Sequence, residues 1–442
     1  MAAIHDSPGI ASQLDRLPLT RMHVGLVLVC TLAMAAAISE MSLSGALSAI
    51  FSSGANKASA GELSALLSSV YVGAVIGAPL FGWLADRIGR RRVLIGVLLW
   101  TTVTSFAASF AHNILELTVC RGLSGLALGV LPPLVIALLA DVLPPKHRGE
   151  MTFWCIALST VGPLCTLMFL HGMSTSSWHG GEAWRLTFGV LGLLCLLTAG
   201  ATALLPESPR FLEVRGRLAQ AALALSRFEH SRAVSWPGAS STAASTAITA
   251  SDPAQAAGPQ RQVYALFALS PWATASFPIL SGAVLTQRGF ALNDALMVVG
   301  VSMAGPMAGN IISSMSLDRI DRRYGLAGCS VVMLLAGAVF VSSTVGWQVL
   351  AAAAVFGMVT SIYLATLNLY AAELFPTQGR GRRLSSAWAL NRVGAAVAPL
   401  LLVPLLRNQG AEAMFAVIAC TVVAAIAVTC LSPRGRQRQA VA

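Results

Sequence analysis

Long apolar stretches, separated by short loops that contain arginine, dominate this chain. Twelve stretches reach the roughly 20 residues that a helix needs to cross the hydrocarbon core of a bilayer. The alternation of polar and apolar residues that barrel strands show is missing from them, and backbone groups left unpaired in lipid are costly. The pattern predicts helices at 23–51, 64–85, 93–112, 116–141, 151–172, 184–205, 263–287, 293–316, 325–345, 348–373, 384–406 and 411–431.

The composition agrees with a membrane environment. Of the 442 residues, 56% are hydrophobic and 11% are charged, about half the charged fraction of an average soluble protein. A net charge of +11 would suggest a nucleic-acid partner in a soluble protein. Here the basic residues cluster between apolar stretches, so they indicate topology and no nucleic-acid binding is expected. The eight cysteines lie in or beside apolar segments without a C-x-x-C spacing, so neither disulfides nor a metal site are expected.

The basic residues fall mainly on one side of the predicted helices. Twenty-three Lys and Arg residues lie in the two termini and in the loops that follow helices 2, 4, 6, 8 and 10. The opposite loops hold Lys57, Arg185, Arg288 and Arg407. Because cytoplasmic loops carry the excess of Lys and Arg, both termini are predicted to be cytoplasmic. The preference for Arg over Lys, together with abundant Ala, favours a bacterial inner membrane protein.

A long polar stretch near the middle divides the chain into two parts. The predicted organisation is a cytoplasmic N-terminus at 1–22, a first six-helix half at 23–212, a cytoplasmic linker at 213–262, a second six-helix half at 263–431 and a cytoplasmic tail at 432–442. Within the linker, residues 233–260 are rich in Ala, Ser, Thr and Pro, a composition that is typical of flexible connections.

Two motifs recur at one fixed distance in the two halves. Residues 84–91 read LADRIGRR and residues 316–323 read SLDRIDRR, 232 positions later. Residues 140–149 read ADVLPPKHRG and residues 372–381 read AELFPTQGRG, again 232 positions later. Parallel repeats of six helices predict an all-α membrane protein with two pseudo-symmetric halves and a substrate path between them.

The residues of this repeat resemble the major facilitator superfamily. Residues 82–91 match the family's motif between helices 2 and 3, and R-G-x-x-G-x-x-x-G at 121–129 matches its helix 4 pattern. The run PESPRFL at 206–212 looks like the sugar-porter and aromatic-acid symporter branches. The resemblance implies transport by alternating access, in which ion pairs at the cytoplasmic helix ends form in one access state and break in the other.

By the same resemblance, Asp86 and Arg90 would engage Asp141 or Arg148 in a gating latch. The equivalent residues of the second half are Asp318 and Arg322, which would engage Glu373 or Arg380. Simple anchoring of the loops at the cytoplasmic face is the alternative, and it is favoured for Arg91, Arg92 and Arg383.

Three charged residues lie well inside predicted helices: Glu40, Arg121 and Arg392. A charge at membrane depth costs at least about 2.5–3.5 kcal/mol, so it needs a partner or a wet cavity. At 1.5 Å per residue, Glu40 and Arg121 fall at about the same depth. We expect them to pair, or to exchange partners with a proton and an anionic substrate; a static structural ion pair is the alternative. Arg392, beside Asn391, is either a carboxylate anchor or an arginine that reaches toward the cytoplasmic face.

Helix 10 supplies two further candidates for the pathway, Tyr363 and Asn368, although such side chains are also common in helix packing. One carboxylate and two arginines at depth favour proton-coupled uptake of a small organic acid, aromatic acids included. The alternatives are a proton-exchange exporter of a hydrophobic compound, a sugar or polyol porter, and a sensor that does not transport. Since no hydrolase, metal or P-loop signature is present, neither an enzyme nor a cofactor is expected. The expected partners are a small-molecule substrate, a proton and the lipid bilayer, with the protein as a monomer.

Overall fold

The computed structural model describes residues 9–53, 57–175, 182–234, 257–316, 321–375 and 380–433. In this part of the chain, twelve helices are long and apolar enough to cross a membrane. The predicted all-α, twelve-helix architecture is therefore confirmed. In chain order the helices, α1 to α12, are Arg21–Ile50, Ala60–Ile88, Arg90–Ser109, Ile114–Val142, Pro145–Ser174, Ala183–Leu204, Gln260–Gln287, Leu292–Ser313, Arg322–Ser342, Gly346–Leu374, Arg382–Gln409 and Ala411–Leu431.

Three shorter helices lie at the end of the bundle where most arginines cluster, here called the arginine-rich end. They are Ile10–Arg16 before α1, and Pro209–Val214 and Leu218–Glu229 after α6. The predicted linker at 213–262 therefore contains helix at both of its ends, since α7 begins at Gln260. Its central part, 235–256, lies outside the described residues.

Polar residues fix where several of the long helices begin. The Ser59 hydroxyl accepts the Glu62 N–H at 3.2 Å, and the Ser59 N–H donates to the Glu62 carboxylate at 2.8 Å, so a capping box begins α2. Asn113 caps α4 by accepting the Glu116 N–H at 2.8 Å. Both devices satisfy N–H groups that the first helical turn leaves without an acceptor.

A single glycine separates α2 from α3. Gly89 has a φ of +109°, and its N–H donates to the Ala85 carbonyl at 3.1 Å. Glycine adopts this conformation without the strain that a Cβ would cause. The tight turn places Arg90 at the very start of α3, where its side chain reaches the end of α4.

The first six and the last six helices form two groups that meet mainly along the helix pairs α1 with α7, α2 with α11, and α5 with α8. The first of these crossings is very close. A Cβ added to Gly282 on α7 would lie 2.3 Å from the carbonyl oxygen of Gly45 on α1. Small residues permit such an approach of two helix backbones, and in lipid this packing is a main source of helix association.

Candidate functional site

Two charged side chains lie inside the first half, away from bulk water. Glu40 on α1 and Arg121 on α4 are each 1% exposed. The Nη1 group of Arg121 donates to the main-chain oxygen of Glu40 at 2.7 Å, and its Nη2 group donates to the Ser44 hydroxyl at 2.6 Å. The ring centre of Phe188 lies 5.8 Å from the guanidinium carbon, which adds a cation–π contact. The structure therefore brings together the two residues whose depths agree in the sequence.

The carboxylate of Glu40 has a different partner. The Ser105 hydroxyl on α3 donates to Glu40 Oε2 at 3.3 Å. The expected ion pair between the side chains of Glu40 and Arg121 is not formed in the structure, because the guanidinium binds the main-chain oxygen of Glu40 instead. The Nε of Arg121 has no hydrogen-bond partner among the described residues. Both charges are thus held by neutral groups, and each keeps bonding capacity for another partner.

Arg392 on α11 is the charged residue at depth in the second half. It is half-buried, and its guanidinium carbon lies 5.9 Å from the ring centre of Trp388, one turn earlier on the same helix. With the other described residues its side chain makes neither a hydrogen bond nor an ion pair. The Trp388 indole N–H donates to the Asn368 side-chain oxygen on α10 at 3.0 Å. Asn368 therefore contacts Trp388, and it is connected to Arg392 through that side chain.

Asn391 is buried and holds α11 against α7. Its side-chain amide donates to the Ser270 hydroxyl at 2.8 Å. Ser270 stands where α7 is interrupted, directly before Pro271, which lacks the N–H of a regular helix. The contact fixes the orientation of α11, and with it the position of the neighbouring Arg392.

Tyr71 on α2 lies near the arginines at membrane depth in both halves. It lies within electrostatic range of both Arg121 and Arg392, and with the other described residues its hydroxyl makes no hydrogen bond. Sequence reasoning missed Tyr71, although a lone tyrosine in the middle of an apolar span was an available signal. It also missed Ser44 and Ser105, because serines are so common in helix packing that nothing in the pattern marks these two.

Tyr363 lies elsewhere. Its side chain is 1% exposed, and its hydroxyl has no hydrogen-bond partner in the part of the chain that the structure describes. It lines a small void inside the second half, which is also lined by Ser270, Thr274, Ser330 and Met333. Because these neighbours belong to α7 and α9, Tyr363 is not brought together with Glu40 and Arg121.

Two equivalent ion pairs join helix ends at the arginine-rich end. Arg90, the first residue of α3, pairs with Asp141 near the end of α4. Arg322, the first residue of α9, donates through Nε to the Glu373 carboxylate near the end of α10 at 3.0 Å. Arg322 and Glu373 each stand 232 positions after their counterparts, so the repeated motif produces a repeated contact.

Other residues predicted for the latch make different contacts. Arg148 lies 3.6 Å from the carboxylate of Asp15 in the helix Ile10–Arg16, so the expected contact of Arg148 with Asp86 is not formed. Asp86 is exposed, and its carboxylate makes no ion pair with the described residues. The reason is geometric: Asp86 stands in the last turn of α2, before the turn that directs Arg90 toward α4. Asp318 and the side chain of Arg380 lie outside the described residues.

The first half has an additional layer at this end. The Glu213 carboxylate accepts the main-chain N–H groups of Ile10 and Ala11 at 2.9 and 2.8 Å, so it caps the N-terminal helix. Asp15 of that helix pairs with Arg210 as well as with Arg148. The N-terminal helix is thereby fastened to the helix Pro209–Val214.

Hydrogen bonds join the two halves at the opposite end of the bundle. The Ala283 N–H on α7 donates to the Ser48 hydroxyl on α1 at 3.0 Å, and the Ser174 hydroxyl donates to the Asn293 side-chain oxygen at 3.1 Å. Arg407 at the end of α11 donates to the carbonyl of Ala58. These contacts hold the two halves together on this side.

Within the described residues, no group of three or more His, Cys, Asp and Glu side chains is placed to hold a metal ion. The polar groups at membrane depth are suited to binding an anion and a proton.

Comparison with known proteins gives consistent relatives. A family model described as "Sugar (and other) transporter" matches residues 31–433. A gallate transporter of Pseudomonas putida is 30% identical over 367 residues, which cover 76% of this chain and 75% of that protein.

Solved structures extend the likeness to the fold. A D-xylose-proton symporter superposes with a TM-score of 0.74 at 18% identity, covering 94% of this chain and 99% of that one. The inward-open xylose transporter XylE from E. coli superposes with a TM-score of 0.74 at 16% identity, covering 95% and 99%. At these identities the likeness concerns the fold alone.

Proposed function

Since this chain belongs to the sugar (and other) transporter family of the major facilitator superfamily, we propose that it imports a small organic acid together with a proton. The protein is a multi-pass membrane transporter, and aromatic acids are the substrate class that we favour. One observation carries the proposal: two arginines and one carboxylate lie at membrane depth, and none of them is paired with another. Unpaired charges at this depth are rarely structural, because burying them without a function is costly.

The two arginines support an anionic substrate. Arg392 is half-buried and makes no ion pair with the described residues, so its planar fork is available to a carboxylate. The adjacent indole of Trp388 offers an aromatic face on which a substrate ring can stack. The likeness to a gallate transporter agrees with this class, since gallate is an aromatic carboxylate.

Glu40 is the proposed proton carrier. A nearby cation favours the charged form of a carboxylate, and burial favours its neutral form. When Arg121 turns toward an incoming anion, Glu40 loses the support of that cation and binds a proton more tightly. Substrate and proton then bind with positive coupling, which is what symport requires.

The ion pairs Arg90–Asp141 and Arg322–Glu373 are the proposed gating latch, with Asp86, Arg148, Asp318 and Arg380 as further candidate members. The hydrogen bonds at the opposite end, such as that between Ala283 and Ser48, join the two halves, whereas each of the two ion pairs lies within one half. We propose that the ion pairs break in one of the access states, which shifts the equilibrium between the two states by their contribution to stability.

We also propose that the arginine-rich end is cytoplasmic and that the transporter works as a monomer in a bacterial inner membrane. Reporter fusions at Arg215 and Gln255 should then report the cytoplasm, while fusions at Lys57 and Ser177 should report the outside. A reversal at any of these four positions contradicts the orientation.

The test of function is uptake into proteoliposomes that are acidic outside. We expect the wild-type protein to concentrate gallate or benzoate, and a protonophore to abolish this accumulation. Glu40→Gln, which imitates the protonated carboxyl, should lose accumulation yet retain counterflow of the same acid. The matched control is Glu412→Gln, because Glu412 is exposed at the start of α12.

Three results would overturn the proposal. One is accumulation of xylose without any transport of aromatic or aliphatic acids, and another is proton-driven efflux of a hydrophobic dye such as ethidium. The third is accumulation of the acid by Glu40→Gln, because the proton would then be carried by another group.

A further inference from the structure

Arg121 binds the main chain of Glu40 and not its carboxylate, so the two residues do not form a salt bridge. Its Nη1 group donates to the main-chain oxygen of Glu40, while Nη2 donates to the Ser44 hydroxyl. Ser44 lies one helical turn after Glu40 on α1, so both acceptors belong to the same helix face. Together they hold the guanidinium in an arrangement that leaves the carboxylate to other partners.

The carboxylate of Glu40 is held from a different helix. The Ser105 hydroxyl on α3 donates to it at 3.3 Å. Ser44 and Ser105 are both fully buried, so their hydroxyl groups have few alternative partners. One serine therefore binds the cation, and the other serine binds the anion.

We propose that Ser44 and Ser105 are positioning residues that keep Arg121 and Glu40 apart and so set how tightly Glu40 binds its proton. The inference rests on the proposed role of Glu40 as the proton carrier. A fully formed salt bridge would favour the ionised carboxylate and oppose proton loading. By binding Nη2 of Arg121, Ser44 opposes that salt bridge; by donating to the carboxylate, Ser105 favours the ionised form to a smaller extent.

The neighbouring ionisable groups are few among the described residues. Arg121 faces Glu40 from α4, and the thiol of Cys195 faces it from α6. From α2, Tyr71 interacts with Arg121 rather than with Glu40. Ser124 on α4 also lies beside the carboxylate, but its hydroxyl does not titrate. The pH response of this site should therefore follow Glu40 and its distance from Arg121.

The two serines are expected to shift the pH dependence of uptake in opposite directions. In Ser44→Ala the guanidinium is free to turn to the carboxylate, so proton loading needs a more acidic medium and the pH midpoint of uptake falls. In Ser105→Ala the ionised carboxylate loses a donor while Arg121 stays fixed, so the midpoint rises. Each shift should be about one pH unit, which corresponds to about 1.4 kcal/mol of differential interaction between the two protonation states of Glu40.

The experiment measures initial uptake of the accumulated acid by proteoliposomes as a function of external pH. Ser42→Ala is the matched control on α1, because the Ser42 hydroxyl bonds only within its own helix, to the Ile38 carbonyl at 2.8 Å. Ser109→Ala serves in the same way on α3, where its hydroxyl donates to the Phe106 carbonyl at 2.8 Å. Both controls should keep the wild-type midpoint.

Failure of this inference is distinguishable from failure of the proposed function. Unshifted midpoints in Ser44→Ala and Ser105→Ala, or shifts of the same sign, overturn the inference while Glu40→Gln still loses accumulation. If Glu40→Gln keeps accumulation, the proposed function itself is wrong. Ser44→Thr keeps a hydroxyl and should restore the wild-type midpoint. If Ser44→Ala does not yield folded protein, Ser105→Ala decides alone, and the absence of its alkaline shift overturns the inference.

Discussion

The two halves of this transporter repeat their ion pairs at the helix ends but not their charges at membrane depth. Arg90 and Asp141 of the first half correspond to Arg322 and Glu373 of the second. Arg121 lies between the same two repeated motifs, yet the residue 232 positions later is Ala353. The two halves therefore share sequence at the helix ends, where both make the same ion pair. They differ at membrane depth, where each half has its own charged residues.

The charges at depth also differ in how they are held. Arg121 is 1% exposed and bridges α4 to α1 through two hydrogen bonds. Arg392 is half-buried and makes no hydrogen bond with the described residues. We therefore expect the first arginine to contribute to both stability and transport, and the second to contribute mainly to substrate binding.

The largest expected effect is that of Arg121→Ala. It would leave the Glu40 carbonyl and the Ser44 hydroxyl buried without their donor, which we expect to cost about 3 kcal/mol of folding stability. Transport of the acid should also be lost. Thermal unfolding of the purified protein in detergent, measured beside proteoliposome uptake, checks both. An unfolding midpoint equal to that of the wild type would contradict the claim that Arg121 contributes more to stability than Arg392 does.

Arg392→Ala should affect binding without affecting stability. Losing a charge-assisted hydrogen bond of about 1.5–3 kcal/mol raises the KM for the acid by roughly 10- to 100-fold. The unfolding midpoint should stay within the error of the wild-type value, because no described residue loses a hydrogen bond. Arg392→Lys is the control: it keeps the charge but loses the fork, so its KM should be intermediate. An unchanged KM in Arg392→Ala would exclude this residue as the anchor.

The repeated ion pairs should respond alike. Asp141→Asn and Glu373→Gln each remove one pair, and we expect each to slow transport by about five- to tenfold through a shift of about 1 kcal/mol between access states. Asp86→Asn should slow it less in this arrangement, because the Asp86 carboxylate has no ion-pair partner among the described residues. Turnover numbers for the three variants, normalised to protein level, test this. If Asp141→Asn and Glu373→Gln slow transport to different extents, the two ion pairs are not equivalent in function.

The smallest effect is expected in the layer that, among the described residues, is found in the first half. Asp15→Asn removes its ion pairs with Arg148 and Arg210, all of which are partly exposed. Exposed ion pairs contribute about 0–1 kcal/mol, so the transport rate should change less than about twofold. A loss of tenfold or more would show that the N-terminal helix belongs to the gate.

Part of the site was predictable from the sequence because burial of charge in lipid is costly wherever it occurs. Glu40, Arg121 and Arg392 stand out in apolar segments, and the spacing of 232 positions from Asp86 to Asp318 and from Asp141 to Glu373 marks the repeat. Contacts that depend on side-chain direction were not predictable. The expected contact of Arg148 with Asp86 is replaced by one with Asp15, which precedes the first span.

The sequence by itself determined the number of spans, the helical fold and the positions of charge along each helix. Those properties follow from local physics: an apolar stretch of about 20 residues must form a helix in lipid. Only the tertiary structure decided that Arg121 bonds the main chain of Glu40 while Ser105 bonds the carboxylate. Such choices depend on the rotation of each helix and on small residues from distant segments, and hydrophobic periodicity specifies neither.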